Sequence, residues 1–310
     1  MNSGSRRPQI KSPNELAAAG IEVLAPKQQT APVVFTSPHS GRNYPDSFIT
    51  NTRLELRTLR RSEDAFVDEA FTSAPEFGAP LLRAHFPRAY VDANRQAWEL
   101  DAKMFNAPLP DYVTTRSPRI SAGLGTIPRI VANGEQIYDK LLNFDEVRER
   151  IDMHYQPYHQ SLAYLIRKTV DGFGGCLIVD CHSMPSGNGF DGSRKITGPK
   201  LADIILGSCH GKSCAPEIVE LATSVCRNMG LSVTHNKPYA GGFTTRHYGK
   251  PANGVHALQI EINRALYMDE QRIERGPGLA QLVRQFRRLI DALTSIDTAL
   301  LQSHQLKAAE

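Results

Sequence analysis

Tryptophan occurs once in this chain of 310 residues, and cysteine five times without a single C-x-x-C pair. An odd cysteine count of this kind argues against both a disulfide framework and a thiolate zinc site. Cys176, Cys181, Cys209, Cys214 and Cys226 are therefore expected as reduced, mostly buried thiols. No uninterrupted apolar run reaches the roughly 18 residues that a membrane helix needs. The start, MNSGSRRPQIKSPNE, also lacks the apolar stretch of a signal peptide, so a cytoplasmic protein with no membrane partner is expected. Charge of one sign is scarce too. Lys and Arg number 36 against 32 Asp and Glu, a net +4, with no dense basic run carrying interleaved aromatics. That balance argues against nucleic acid as a partner while leaving a mild pull on small anions.

What is present is ordinary for a soluble globular protein: 41% hydrophobic and 22% charged residues, with no internal repeat and no linker-like break in composition. Residues 1–12 read as a disordered polar tail and 13–310 as one domain, as a monomer or small homo-oligomer. Short β-rich runs alternate with helical patterns: Val33-Val34-Phe35, a helix through Ala65, Val67 and Phe71, then Leu81-Leu82 and Ala89-Tyr90-Val91. A long helix over about 143–171 follows, with Asn143 as N-cap and Pro157 as a kink, then strands at 176–180, 231–234 and 256–262 and a helix from Pro216 to Met229. This alternation predicts a three-layer α/β/α fold with a mixed, mostly parallel central sheet. Gly/Pro-rich segments at 108–136 and 183–200 read as long loops beside the candidate site.

Five segments place a reactive side chain where an apolar run breaks: Ser37-Pro38-His39-Ser40-Gly41, Glu63-Asp64, Asp92-Ala93-Asn94-Arg95, Asp180-Cys181-His182-Ser183, and Gln259 to Arg264. A hydrolytic zinc site takes about three protein ligands, imidazoles plus a carboxylate, and keeps one position for water. His39 and His182 each follow a strand-like run, so both emerge at the carboxyl end of a strand, where open α/β sheets build their sites. The third ligand should be a carboxylate; Asp64 is the choice, with Glu63 as its rival and a plain helix N-terminal acid as the bland alternative. Asp180 shares a face with His182 if the strand continues, either to orient the imidazole or as a simple buried acid.

Glu261 is the one carboxylate in the run Ala257–Ile262, on the opposite side to Leu258, Ile260 and Ile262. A buried acid there is costly unless it works as a general base or is paired, for instance with Arg264. Arg88, Arg95, Arg129 and Arg246, with Asn94, complete the set, since guanidinium forks bind carboxylates and several near one metal imply an anionic substrate.

The segments SPHSG (37–41), Asp64-x-x-Val67-Asp68, VDANR (91–95), GTIPR (125–129), HYQPYH (154–159), VDCHSM (179–184) and LQIEINR (258–264) together resemble the N-formylglutamate amidohydrolase family. Those zinc enzymes are related in fold to carboxypeptidase A and aspartoacylase. The resemblance implies His39, Asp64 and His182 on Zn2+, Glu261 as catalytic base and Arg88 polarising the scissile carbonyl. It also implies Arg95 with Asn94 on a substrate carboxylate; one of Arg129, Arg246 or Arg264 is expected on a second. The chain departs from the superfamily's tight H-x-x-E, because position 42 is Arg. Ala202 to Gly207 also resembles the family, although Cys209-His210 follows in place of an Arg-containing turn. The expected reaction is cleavage of N-formyl-L-glutamate to formate and L-glutamate, as in histidine breakdown. The alternatives are hydrolysis of another N-acyl amino acid or a peptide carboxyl end, or metal-dependent binding of a dicarboxylate without catalysis.

Overall fold

A computed structural model of the protein describes residues 12–131, 134–191, 194–197 and 201–306, with side-chain placement left out at 13, 188–191, 194–197 and 303–306. In chain order its main strands are β1 (Ile21–Leu24), β2 (Val33–Ser37), β3 (Leu81–Ala84), β4 (Cys176–Met184), β5 (Asn188–Asp191), β6 (Arg194–Thr197), β7 (Ile204–Gly207), β8 (Val233–His235) and β9 (Val255–Asn263). Seven of them form one sheet in the order β1-β3-β2-β4-β9-β7-β8, while β5 and β6 make a separate hairpin. Pairs β3-β2, β2-β4, β4-β9 and β7-β8 are parallel; β1-β3 and β9-β7 are antiparallel. The expected mixed, mostly parallel sheet is what the chain forms.

Strand period two sorts the central strands onto two cores. Val33, Phe35, Leu177, Val179, Cys181, Leu258, Ile260 and Ile262 face one side, under the helices Pro216–Asn228 and Leu279–Thr294. Val34, Cys176, Ile178 and Ala257 face the other, where the helix Gln156–Phe173 covers them with Tyr158, Leu162, Leu165 and Ile166. Burying each such aliphatic or aromatic side chain contributes about 1.5–3 kcal/mol. On that second face Asp180, His182, Gln259 and Glu261 continue the row of Ile178 and Ala257 toward the carboxyl ends of the strands. Apolar side chains thus give way to polar ones along a single face.

Several expectations shift. The strand expected at 176–180 runs to Met184, paired with β9 residue by residue through Met184 and Asn263, so His182 lies inside a strand. Ala89-Tyr90-Val91 is no strand. The Pro87 carbonyl accepts from the N–H groups of Tyr90 and Val91, which closes a turn, and the run is apolar because Ala89 and Val91 are buried. The amphipathic stretch after Asp64 shortens to one helical turn, Val67–Ala70, entered through Phe66 at φ +65°. Asn143 caps its helix as expected, and the helix widens to a π turn at Ile151–Tyr155 just before Pro157, which has no N–H to donate to Met153. The loop expected at 183–200 contains the end of β4 and the β5-β6 hairpin. Ser12, assigned to the tail, instead caps the helix Pro13–Ala18 through a capping box with Glu15; the rest of that expected tail lies outside the described residues.

Candidate active site

His39, Asp64 and His182 converge with their ligand atoms within 4.8 Å of one another, all three buried. Asp64 Oδ2 lies 2.9 Å from His182 Nδ1 and 3.3 Å from His39 Nδ1. Two local arrangements bring this about. His182 is set by strand register, and the loop after β2 carries His39 against Asp64: the Asp64 N–H donates to the His39 carbonyl, and the Ser40 hydroxyl donates to the Asp64 carbonyl. Ser40 Oγ in turn accepts from the Asp68 N–H. Gly41 is required in that loop, because a Cβ there would sit 2.1 Å from the Phe86 carbonyl oxygen.

Each imidazole is oriented from behind by a carboxylate. His39 Nε2 donates to Asp92 Oδ1 at 2.7 Å, and His182 Nε2 lies 3.1 Å from Asp180 Oδ2. With a proton held on Nε2, Nδ1 of each ring is turned toward Asp64 and is the nitrogen that a metal would take. His39 Nδ1 is buried and accepts no hydrogen bond. Two Nδ1 atoms and a carboxylate, one of them an orphaned buried nitrogen and both rings fixed by carboxylates, are the donor set of an open metal site.

The charges match that reading. Burial opposes the charge of Asp64, but the hydrogen bond from His182 and the neighbouring His39 and Arg88 outweigh it, holding the carboxyl well below its usual range. Asp92 is likewise held low against burial, by His39, Arg95 and Arg88. His182 is pushed well above its ordinary value because Asp180, Asp64 and Glu261 overcome its desolvation. A divalent cation would take over the role of that proton.

Glu261 stands opposite His182 in the β4-β9 register, so both side chains open on the same cavity. Burial, reinforced by the negative charges of Asp64 and Asp180 and opposed by His182 and Arg88, pushes its pKa up to about 7. Gln259 Nε2 donates to Glu261 Oε1 at 2.6 Å and holds the carboxylate. Arg264 is not its partner. That guanidinium is buried on Ser183, the Glu63 carbonyl and Asp64 Oδ1 (3.1 Å), where it fixes the Asp64 carboxylate. Glu63 turns the other way, accepting from Tyr44 and Arg60, so the structure brings Asp64 and not Glu63 between the imidazoles.

A cavity of about 460 Å³ opens over these groups, walled by Arg88, Asn94, Arg95, Arg119, Tyr239 and Gly242 among others. Arg88 Nη2 donates to Asp92 Oδ2, and its Nη1 lies 3.8 Å from Asp64 Oδ1. Arg95 is braced on the carbonyls of Leu124 and Asn94. Asn94 is buried: its Nδ2 lies 3.0 Å from His182 Nε2, and its Oδ1 accepts from the Thr244 N–H. Gly242 passes so close that a Cβ would lie 2.2 Å from Asn94 Nδ2.

Two expected residues do not reach the cavity wall. Arg129 pairs with Asp101, and exposed Arg246 donates to the Gly241 and Gly242 carbonyls. Their neighbours Pro128, Ile130, Gly241 and Gly242 line the cavity instead. Arg119 and Tyr239 in the wall, Gln259 behind Glu261 and Asp92 behind His39 were not assigned roles from sequence. Asp92 carried a signal, since VDANR places an acid two and three residues before the assigned Asn94 and Arg95.

The family model described as N-formylglutamate amidohydrolase matches residues 31–268. A curated N-formylglutamate deformylase of Pseudomonas aeruginosa is 31% identical over 255 residues, covering 81% of this chain and 87% of that protein. The Pseudomonas putida protein of the same name is 30% identical over 254 residues, covering 80% and 86%. Among solved structures, an N-formylglutamate amidohydrolase from Ralstonia eutropha superposes with a TM-score of 0.82 at 34% identity, covering 89% of this chain and 97% of the other. A protein from Agrobacterium tumefaciens, 18% identical with a TM-score of 0.61 over 94% and 99% of the chains, shares the fold. By the extent of the family match and the identity to these relatives, the chain belongs to the N-formylglutamate amidohydrolase family.

Proposed function

We propose that this protein hydrolyses the formyl amide of N-formyl-L-glutamate to formate and L-glutamate, with Zn2+ as the metal of the His39, Asp64 and His182 site. The observation that carries the reading is the juxtaposition of a carboxyl group with pKa near 7, Glu261, and a buried three-donor metal set in the wall of one cavity. When bound, the metal supplies Lewis-acid polarisation and acidifies water. Glu261 takes the proton from the attacking water and returns it to the leaving nitrogen. A carboxyl group whose pKa lies near neutrality serves both steps, and a bound cation would bring it lower. Arg88 faces the same space and is suited to the negative charge that builds on the carbonyl oxygen. Asn94 reaches Asp180 behind His182 and holds the 242–244 segment in place, and Arg95 offers its remaining guanidinium nitrogen to the α-carboxylate. Arg264 positions Asp64 and does not read substrate. The setting, histidine breakdown in the cytoplasm, follows from the family resemblance; among the described residues no helix is long and apolar enough to cross a membrane.

The test is a panel of N-formyl, N-acetyl and N-formimino amino acids assayed for amine release with zinc present. The highest kcat/KM is expected on N-formyl-L-glutamate. A higher value on an N-acetyl or N-formimino compound would reassign the acyl group.

A further inference from the structure

We infer that Arg119 forms the subsite for the substrate's side-chain carboxylate and sets the preference for an acidic amino-acid side chain. This rests on the deformylase reading above, which requires a second carboxylate to be bound in the same cavity.

Among the described residues the cavity wall holds five arginines: Arg61, Arg88, Arg95, Arg119 and Arg264. Arg88 is committed to Asp92 and Arg264 to Asp64, and Arg95 spends two of its nitrogens on backbone carbonyls. Among the described residues the Arg119 guanidinium makes no hydrogen bond and no ion pair. Arg61 has none from its side chain either, but it is exposed, where water and salt satisfy a guanidinium cheaply. Arg119 is half-buried and does not have that relief.

Its backbone is nevertheless well anchored. It sits on the helical turn Pro118–Ser121, pinned by buried Ile120 and by Ser117, whose side chain accepts from the Ile120 N–H and donates to the Glu99 carboxylate. The Glu99 carboxylate, which supports the Arg119 charge, is therefore already engaged by Ser117. Burial, followed by the like charges of Arg95 and Arg246, works against the Arg119 cation more than Glu99 and Asp92 support it. A fixed, partly desolvated guanidinium among other guanidiniums is short of negative charge, and a carboxylate supplies it with charge-assisted hydrogen bonds.

Which carboxylate it takes follows from the groups that each arginine meets in the cavity wall. Arg95 Nε is 3.8 Å from Asp92, which itself holds the metal-site imidazole of His39. Arg119 enters the cavity wall from the separate turn Pro118–Ser121 and, among the described residues, pairs with none of the carboxylates of the site. In N-formylglutamate the α-carboxylate is attached beside the scissile amide, and the other carboxylate stands at the far end of the side chain. Arg95 is thus placed for the first and Arg119 for the second.

The experiment compares kcat/KM on N-formyl-L-glutamate and on N-formyl-L-glutamine, which has the same shape with a neutral side chain, for wild type, Arg119→Met and Arg119→Lys. Calorimetry on each protein reads the binding of glutarate, a dicarboxylate with no scissile bond. Arg119→Met should lose about 10- to 100-fold on formylglutamate, less than about threefold on formylglutamine, and most of its glutarate affinity. Arg119→Lys should recover part of each loss. Equal losses on both substrates, or none on either, would overturn the assignment. Should wild type cleave neither compound, the deformylase reading fails, and the glutarate arm still decides: binding that depends on Arg119 upholds the carboxylate subsite, and binding indifferent to it removes the subsite as well.

Discussion

Changing Asp92 or Asp180 to Asn alters one atom in contact with an imidazole and leaves all three candidate metal donors in place. If these carboxylates hold the Nε2 protons of His39 and His182, either substitution should weaken metal affinity about 10- to 100-fold, measured by competition with a chelator. Affinity unchanged in both variants would mean the rings are oriented by something else. Glu261 gives a second prediction with two readouts. Glu261→Gln removes the base, so kcat should fall by about 10² or more while metal content is kept. The same substitution should stabilise the metal-free protein at pH 8. In the fold this carboxyl resists ionisation, its pKa raised from 4.5 to about 7, so its cost to stability is absent below pH 4.5, grows between those values and is full above pH 7. At about 1.4 kcal/mol per unit the effect is about 3 kcal/mol, read as a rise in the midpoint of urea unfolding. A variant that keeps its turnover would remove Glu261 from the mechanism, and one destabilised at pH 8 would make it a structural acid. His39, His182 and Glu261 were legible because each stands where an apolar run breaks, although a bland pairing stayed open for the acid. The arginines were not. A guanidinium's type says that it pairs with an anion or a carbonyl, and only the fold shows that Arg129 meets Asp101 while Arg119 has no hydrogen bond or ion pair among the described residues.

Among elements, the helix carrying HYQPYH has a task that its sequence did not reveal. Tyr155 donates to the Arg95 carbonyl, and buried His159 is bonded to the Ala93 carbonyl and the Tyr248 hydroxyl, so one helix end clamps the segment bearing Asn94 and Arg95. Burial lowers the His159 pKa to about 4, so the ring is neutral across the physiological range and this clamp does not titrate there. His159→Leu leaves the Ala93 carbonyl without its partner and should cost about 1–3 kcal/mol in denaturant unfolding, with a fall in kcat/KM. Stability and kinetics both at wild-type values would show that the helix does not hold the segment. Element types were mostly readable from periodicity, since β2, β4 and β9 are apolar runs with clear breaks. Where the reading failed, at Ala89-Tyr90-Val91, burial of a turn imitated a strand, because a short apolar run shows that side chains are covered and not how the backbone is paired.

For the molecule as a whole, the sheet order brings residues from distant parts of the chain to the carboxyl ends of three adjacent strands. β2 precedes His39, β4 contains His182, and β9 contains Glu261 at the same level. The mostly parallel, mixed sheet followed from the alternation of elements, but the antiparallel placement of β7 beside β9 did not, because strand direction is decided by crossovers that leave no local mark. A cation held only by the folded arrangement stabilises the fold through linkage, so zinc in excess should raise the melting temperature of wild type and not of His39→Ala. An equal shift in both would place the metal elsewhere. The most direct test of the account is a zinc titration of chelator-stripped protein that follows formate release from N-formyl-L-glutamate. Activity should be absent at the start, rise linearly and saturate at about one zinc per chain. Formate release by the stripped protein, or none at any zinc level, would contradict it.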